Sequence, residues 1–467
     1  MKLFNDLTGK KEDLAQKDNH VRIYACGPTV YNFFHVGNAR CFVTFDLLRR
    51  YLEYRGNKVD FVQNFTDIDD KMIRRANEEN TTVKAIADRY IEEYFKDAKG
   101  LGIEPATVHP RATENIDAII AIIEALIEKG HAYESQGDVY YAARTFKNYG
   151  CLSGKNVDDL ESGARIDVSE IKRDPLDFAL WKASKPGEPS WDSPWGKGRP
   201  GWHIECSAMV DKYLGKTIDI HCGGVDLTFP HHENEIAQSE GAFGVPFCRF
   251  WVHNGFINVD NKKMSKSLGN FFTVRDAAEK YGYAAIRYFI LSAHYKSPVN
   301  FSAEILGQAQ SSVQRLYNCE ENLRFLLKNA EGDEMTAEEK EFIAKLDERR
   351  EAFITVMDDD FNTADGIATL FEAVKDINIF VSEARSRKAL EGILAFYEEI
   401  CGLLGFLKPE EEAVDGLDEA AIEALIAERA AAKKEKNYAR ADEIRAQLAE
   451  SGIVIEDTPT GAKWHRA

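Results

Sequence analysis

Val21-Arg-Ile-Tyr-Ala-Cys-Gly-Pro-Thr-Val-Tyr-Asn-Phe-Phe-His-Val-Gly-Asn38 is the stretch on which the fold turns. Val21 to Ala25 is a short apolar strand, a loop bearing Gly and Pro follows, and Val36 to Tyr54 has helical spacing that stops before Gly56. Lys58 to Gln63 then alternates as a second strand. Strand, helix and strand in so short a span predict a parallel sheet, whose ligand crevice opens beyond the carboxyl ends of its strands. Cys26, Gly27 and Pro28 fall at that edge.

Downstream the pattern is interrupted. From about Val108 to Pro200 come a helix (Ile116 to Lys129), a Tyr-rich strand (Val139 to Ala142) and a Gly-, Pro- and Trp-rich stretch (Lys185 to Gly201), which together read as an insertion. Sheet-like apolar runs resume at Ile218 to His221 and Phe250 to His253, so the α/β core is split around the insert. Beyond Phe301, Val313, Leu316 and Tyr317, then Leu323, Leu326 and Leu327, repeat at helical spacing and predict a helix bundle that closes at Gly402 to Leu407. Lys408, Pro409 and the acidic run Glu410 to Glu412 read as a linker. A charged helix from about Leu417 to Ser451 and a short strand, Gly452 to Ile455, form a small C-terminal unit.

Composition narrows the function. With 467 residues, two to four domains are expected. No window approaches the roughly 18 apolar residues of a membrane span, and the first residues lack a cleavable apolar leader, so the expected compartment is the cytoplasm, with no membrane partner. Eight cysteines without paired spacing argue for reduced thiols, some of them free to bind metal. A net charge of -19 opposes phosphate binding, which rests on clustered Lys and Arg. Any RNA must meet a local basic face, and from Arg429 onward eight Lys or Arg face six Asp or Glu.

Three constellations carry chemistry. Pro28-Thr29-Val-Tyr-Asn-Phe-Phe-His35-Val-Gly37-Asn38 joins a strand to a helix start, where backbone N–H groups and the positive end of the helix dipole suit phosphates. Lys262-Lys263-Met264-Ser265-Lys266-Ser267 is a lysine-rich loop able to neutralise charge on a leaving pyrophosphate. Taken singly, either is an ordinary turn or a solvated loop. The third set is Cys26, Cys206, His231 and Glu235. Pro230 suits the first turn of a helix running to about Glu240 and ended by Gly241, which puts His231 and Glu235 at i and i+4 on one face. Two thiolates, an imidazole and a carboxylate suit tetrahedral zinc. The spacing matches no compact finger, buried cysteines often only fill space, and the neighbours His232 and Glu233 are disfavoured rather than excluded.

His35-Val-Gly-Asn38 and Lys263-Met-Ser-Lys-Ser267 together resemble the two signatures of class I aminoacyl-tRNA synthetases, in their order and setting around an insertion. Asn38 stands where that signature commonly has His, although an amide can still donate to a phosphate or ribose oxygen. Tyr24-Ala-Cys-Gly-Pro-Thr-Val-Tyr31, Gly201-Trp-His-Ile-Glu-Cys206-Ser and Phe229-Pro-His-His-Glu-Asn-Glu235-Ile are similar to the metal-binding segments of cysteinyl-tRNA synthetases. The similarity runs through the chain to Gly452-Ile-Val-Ile-Glu-Asp-Thr-Pro.

The resemblance implies activation of L-cysteine by ATP to cysteinyl-adenylate and transfer to the 3′ end of tRNA(Cys), by a monomer holding one Zn2+ on Cys26, Cys206, His231 and Glu235. It implies catalytic roles for His35, Asn38, Lys263 and Lys266. ATP, accompanied by Mg2+, would meet Pro28, Thr29, His35, Gly37, Asn38, Asp226, Lys263, Met264, Ser265, Lys266 and Ser267. The amino acid would meet Gly27, Thr66, Trp202 and His221. Cys222 departs from the family pattern, which has glycine there. Four protein ligands would ordinarily close a zinc site, so substrate sulfur must enter as a fifth ligand or loosen Glu235. The implied segments are 1–107 and 201–255 for the halves of a Rossmann-like catalytic domain, 108–200 for the insertion, 256–302 for a stem-contact region, 303–407 for the bundle and 417–467 for an anticodon-binding domain. Two rivals keep parts of this picture: a ligase passing cysteinyl-adenylate to a small amine, as the mycothiol-pathway ligase does, and a zinc-stabilised RNA-binding protein without catalysis.

Overall fold

A computed structural model describes residues 1–14, 19–155, 172–260, 262–263, 272–409, 419–458 and 461–466. The strand expected over Val21 to Ala25 forms as His20–Ala25, followed as expected by helix Val36–Tyr54 and strand Lys58–Gln63. Arg55 ends the helix, and Gly56, at φ 84°, takes the left-handed turn into the second strand.

Four strands make one parallel sheet in the order Cys248–Asn254, Ile218–Gly224, His20–Ala25, Lys58–Gln63. The chain leaves the first strand toward one side and returns, after the insertion, on the other. The switch point therefore lies between Ala25 and its partner Cys222, where a doubly wound sheet opens its crevice. The insert builds a second, antiparallel sheet from Ala132–Ser135, Asp138–Tyr141, Phe178–Ala183 and Gly198–Pro200, packed with helix Ile116–Glu128 around buried Trp181 and Tyr141. Helix Ile204–Leu214 then leads back into the parallel sheet.

Two expectations are corrected. Thr228–His232 forms a wide π-type turn with Phe229 extended, and the regular helix runs Glu233–Phe243. It passes through Gly241 and stops at Gly244 (φ 71°); a Cβ at Gly241 would lie 3.0 Å from the Tyr141 hydroxyl, so that glycine serves close packing. Near the C-terminus the single charged helix is two, Glu419–Lys434 and Tyr438–Glu450, broken at Lys436 (φ 61°) and recapped by the Asn437 side chain. The following strand extends over Ile453–Thr458 and pairs with a strand the sequence did not suggest, Gly461–Arg466.

Residue contacts divide the chain into two units: one comprises Met1–Gln314, Glu348–Ala373 and Ile400–Phe406, the other Arg315–Asp347, Val374–Glu399 and Leu407–Ala467. The long helices Ala303–Lys328, Ala337–Asp358, Thr363–Phe380 and Arg387–Leu404 each contribute to both. No helix among the described residues is long and apolar enough to cross a membrane.

Candidate active site

Cys26 follows the first strand, Cys206 lies in the first turn of helix Ile204–Leu214, and His231 and Glu235 span the π-type turn and the helix after it. Their donor atoms all lie within 4.8 Å of one another, and all four residues are buried. The Cys206 sulfur is 3.6 Å from His231 Nε2, the Cys26 sulfur 3.7 Å from Glu235 Oε1, and His231 Nε2 3.0 Å from the same oxygen. A tetrahedral ion with bonds of roughly 2.0 to 2.3 Å requires donor separations of roughly 3.3 to 3.8 Å, so the cluster needs little adjustment to hold one.

The electrostatics of the four are those of a proton-loaded ligand set. A hydrogen bond from Cys26 lowers the Cys206 pKa to about 6 despite burial, whereas burial and the Cys206 sulfur push Cys26 up. Burial opposes charge on His231 and Glu235, yet Glu235 and Cys206 raise His231 to about 10, and His221 and His231 hold Glu235 near 2. The protons on His231 and between the sulfurs are those a divalent cation displaces.

Around this set stand residues the sequence named for other reasons or not at all. His221 Nε2 sits 2.8 Å from Glu235 Oε2, and its ring stacks on Trp251. Trp202, 42% exposed, lies flat on His231 with centroids 4.5 Å apart. His203 Nδ1 is 2.8 Å from His231 Nδ1. His232 Nε2 faces the Cys26 sulfur at 3.3 Å; its Nδ1 is 2.7 Å from His253 Nε2, and His253 Nδ1 is 2.7 Å from Asp6 Oδ2. Burial depresses the pKa of His203, His232 and His253. A second group with converging donors, Cys26, His221, His232 and Glu235, shares two members with the first. His203, His253 and Asp6 were missed by sequence reasoning; Asp6, just past strand Lys2–Asn5, is held beside His253 by its N–H bond to Trp251 O at 2.9 Å, a tertiary contact. Cys222 is buried, its thiol donating to the Tyr24 carbonyl at 3.4 Å on the sheet face opposite His221.

Gly27 and Thr66 belong to a neighbouring network. Gly27 N–H donates to Asn64 Oδ1 at 2.9 Å, and Thr66 donates its hydroxyl proton to Glu205 Oε2 at 2.9 Å. Burial pushes the Glu205 carboxyl well above the usual range. A Cβ on Gly27 would sit 1.6 Å from Asn64 O. Gly27→Ala should therefore cost on the order of 3 kcal/mol through forced backbone displacement. Calorimetry would read this as an earlier catalytic-unit transition; an unchanged transition contradicts the packing argument.

His35 and Asn38 form a reciprocal capping box: Asn38 N–H donates to His35 Nδ1 at 3.2 Å, and His35 N–H to Asn38 Oδ1 at 3.4 Å. The departure from His at position 38 thus has a structural use. With Nδ1 accepting, the ring proton of neutral His35 belongs on Nε2. Pro28 and Thr29 follow Gly27, Thr29 bridging Thr66, while Gly37 lies in the first helical turn. Asp226 is exposed in the turn Val225–Leu227. Lys263 lies on the short strand Lys262–Lys263, paired with Ile257–Val259. Met264, Ser265, Lys266 and Ser267 lie outside the described residues.

Residues 13–311 match the tRNA synthetases class I (C) catalytic domain, well over half of the chain. Residues 352–408 match the DALR domain, and residues 415–464 the cysteinyl-tRNA ligase anticodon binding domain. The chain belongs to the cysteinyl-tRNA synthetase family. Solved class I structures share the fold. A Mycobacterium tuberculosis methionyl-tRNA synthetase in complex with methionyl-adenylate superposes with TM-score 0.60 at 15% identity, covering 83% of this chain and 90% of that one. A putative arginyl-tRNA synthetase from Campylobacter jejuni gives 0.56 at 13% identity, covering 85% and 95%. The synthetase is a cysteine–tRNA ligase, which activates cysteine with ATP and charges tRNA. The match at 415–464 sets aside the small-amine ligase, and the catalytic-domain match at 13–311 the non-catalytic RNA binder.

Proposed function

We propose that the synthetase recognises its substrate side chain through one zinc ion held by Cys26, Cys206, His231 and Glu235. The observation carrying this reading is the convergence of four buried donors, two of them sulfur, from three distant segments. Two thiolates favour zinc over harder cations, and His221, His203 and His232 are placed to orient the ligands from outside. When bound, zinc supplies a soft Lewis acid that prefers a thiol to a hydroxyl and eases its deprotonation. Trp202 covers His231 at the half-open side, while Gly27 and Thr66 border the backbone of the amino acid. Thr66, its proton given to Glu205, offers an acceptor to the substrate ammonium.

The cysteine carboxylate attacks the α-phosphate of Mg2+-bound ATP, with pyrophosphate leaving. His35 Nε2–H and the Asn38 amide donate to the phosphates beside the helix N-terminus, with Asp226 facing the adenosine. Lys263 and Lys266, with Met264, Ser265 and Ser267 of the same motif, neutralise the leaving group. The acyl group then passes to the terminal ribose of tRNA(Cys). We place this work in the cytoplasm, a reducing compartment that suits eight free thiols.

We assign 417–467 to anticodon reading within the segment boundaries given above. Removal of 417–467 should lower kcat/KM for tRNA charging by at least 100-fold and leave cysteine-dependent ATP–pyrophosphate exchange within about threefold. Undiminished charging by the truncated protein would count against the anticodon role.

A further inference from the structure

The helix that opens at His35 carries a residue the proposed chemistry leaves unused. Arg40 is completely buried. One terminal nitrogen donates to Phe256 O at 2.7 Å, and the other reaches Tyr295 O at 3.0 Å, His294 O at 3.3 Å and Ser297 O. No carboxylate among the described residues pairs with it. A buried cation satisfied only by neutral carbonyls is costly, and near the positive end of a helix it is disfavoured further. Filling space would not call for it.

What the carbonyls share is their place. Phe256 leads into strand Ile257–Val259, which pairs with Lys262–Lys263 on one side and Val299–Phe301 on the other. His294 to Ser297 is the turn before that second neighbour. The two segments touch backbone to backbone: a Cβ on Gly255 would lie 2.5 Å from Lys296 O, and Gly255 N–H donates to Tyr295 O at 2.8 Å. The helix start also binds the chain farther along. Val36 N–H donates to Phe272 O at 3.3 Å, Val274 N–H to Phe34 O at 3.1 Å, and His35 bridges Thr273. Phe256 and Phe272, on either side of Lys263, are thus both tied to the opening turns of the helix that carries His35 and Asn38.

We infer that Arg40 is a positioning residue for adenylate formation: by gathering the carbonyls of Phe256, Tyr295 and Ser297 it fixes the Ile257–Val259 and Lys262–Lys263 strand pair, and with it the backbone at Lys263, relative to His35 and Asn38. The inference rests on the nucleotide role proposed for Lys263. Arginine is required because its planar fork of donors serves several carbonyls at once, whereas a lysine ammonium is a compact charge on a flexible stem.

The test uses full-length zinc-loaded protein and ATP–pyrophosphate exchange with ATP and cysteine varied separately. Arg40→Lys should lower kcat/KM for ATP by about 100-fold, the scale on which a 1 Å misplacement acts. KM for cysteine should stay within twofold and zinc at one per chain. Hydrogen exchange should quicken in Ile257–Val259 and Val299–Phe301 but not in His20–Ala25. Arg40→Gln, which removes the buried charge and keeps two amide donors, should give the same pattern and serves where the lysine variant folds poorly. Equal losses for ATP and cysteine, or normal ATP kinetics, would overturn the inference. Lys263→Ala separates the two levels. Unchanged ATP kinetics in that variant sinks the nucleotide reading and this inference with it; impaired kinetics there beside normal kinetics in Arg40→Lys overturns this inference alone.

Discussion

Cys206→Ser should lose both its zinc and its ability to tell cysteine from serine. The substitution removes one sulfur from a buried set whose donors already stand at near-ligand separations, 3.6 Å to His231 Nε2 in the case of Cys206. A serine hydroxyl in that place is a poor zinc ligand at neutral pH, and a carboxylate, an imidazole and one thiolate hold zinc far more weakly. After dialysis against a mild chelator the metal content should fall from one zinc per chain to below about a tenth, and kcat/KM for cysteine in pyrophosphate exchange should drop by roughly 10³, about 4 kcal/mol. Selectivity should collapse further than rate. Cysteine and serine differ by one atom, and a pocket working by size and hydrogen bonding alone separates such pairs only about 10- to 200-fold. A Cys206→Ser protein that kept full zinc and its preference for cysteine would refute metal-based selection.

The second large effect concerns His35, and here stability and rate should separate. His35→Asn retains an N-cap acceptor for the Asn38 amide but lacks the outward Nε2–H donor. Cysteine-dependent pyrophosphate exchange should fall by about 10² to 10³, the usual loss when one preorganised donor is removed, while the thermal midpoint stays close to that of the parent. His35→Ala should show the same loss of rate and, in addition, about 1 kcal/mol of destabilisation from the vanished cap. An exchange rate in His35→Asn equal to that of the parent would show that the ring acts only as a cap.

The opening βαβ unit was legible because each signal is local. An apolar run, a loop and a helix-period stripe set the bounds of Val36–Tyr54 and Lys58–Gln63 correctly. The break at Lys436 was not, because helix-forming residues flank it and a lysine at positive φ gives no warning in sequence. Gly241 misled for the opposite reason: a glycine near a helix end usually stops it, and only the tertiary neighbour Tyr141 shows that this one serves packing. At the site, the i,i+4 pairing of His231 and Glu235 could be read directly and forms as an ion pair at 3.0 Å. The link from Asp6 through His253 to His232 could not, since Asp6 and His253 lie 247 positions apart in sequence. Nor could the carbonyls gathered by Arg40, which are backbone atoms without a compositional trace.

The donors' dispersal along the chain has a consequence for biosynthesis. Cys26 leaves the ribosome 180 positions ahead of Cys206, which at 5 to 20 residues per second is roughly 10 to 40 s. During that interval the Cys26 thiol stands without the His231 imidazole or the Glu235 carboxylate beside it. The four proposed ligands are together only after the inserted sheet has been made, helix Ile204–Leu214 has docked and the chain has reached Glu235. On the proposed zinc role, selection of the side chain is unavailable until Glu235 has been made, and oxidation of Cys26 before then would forfeit it.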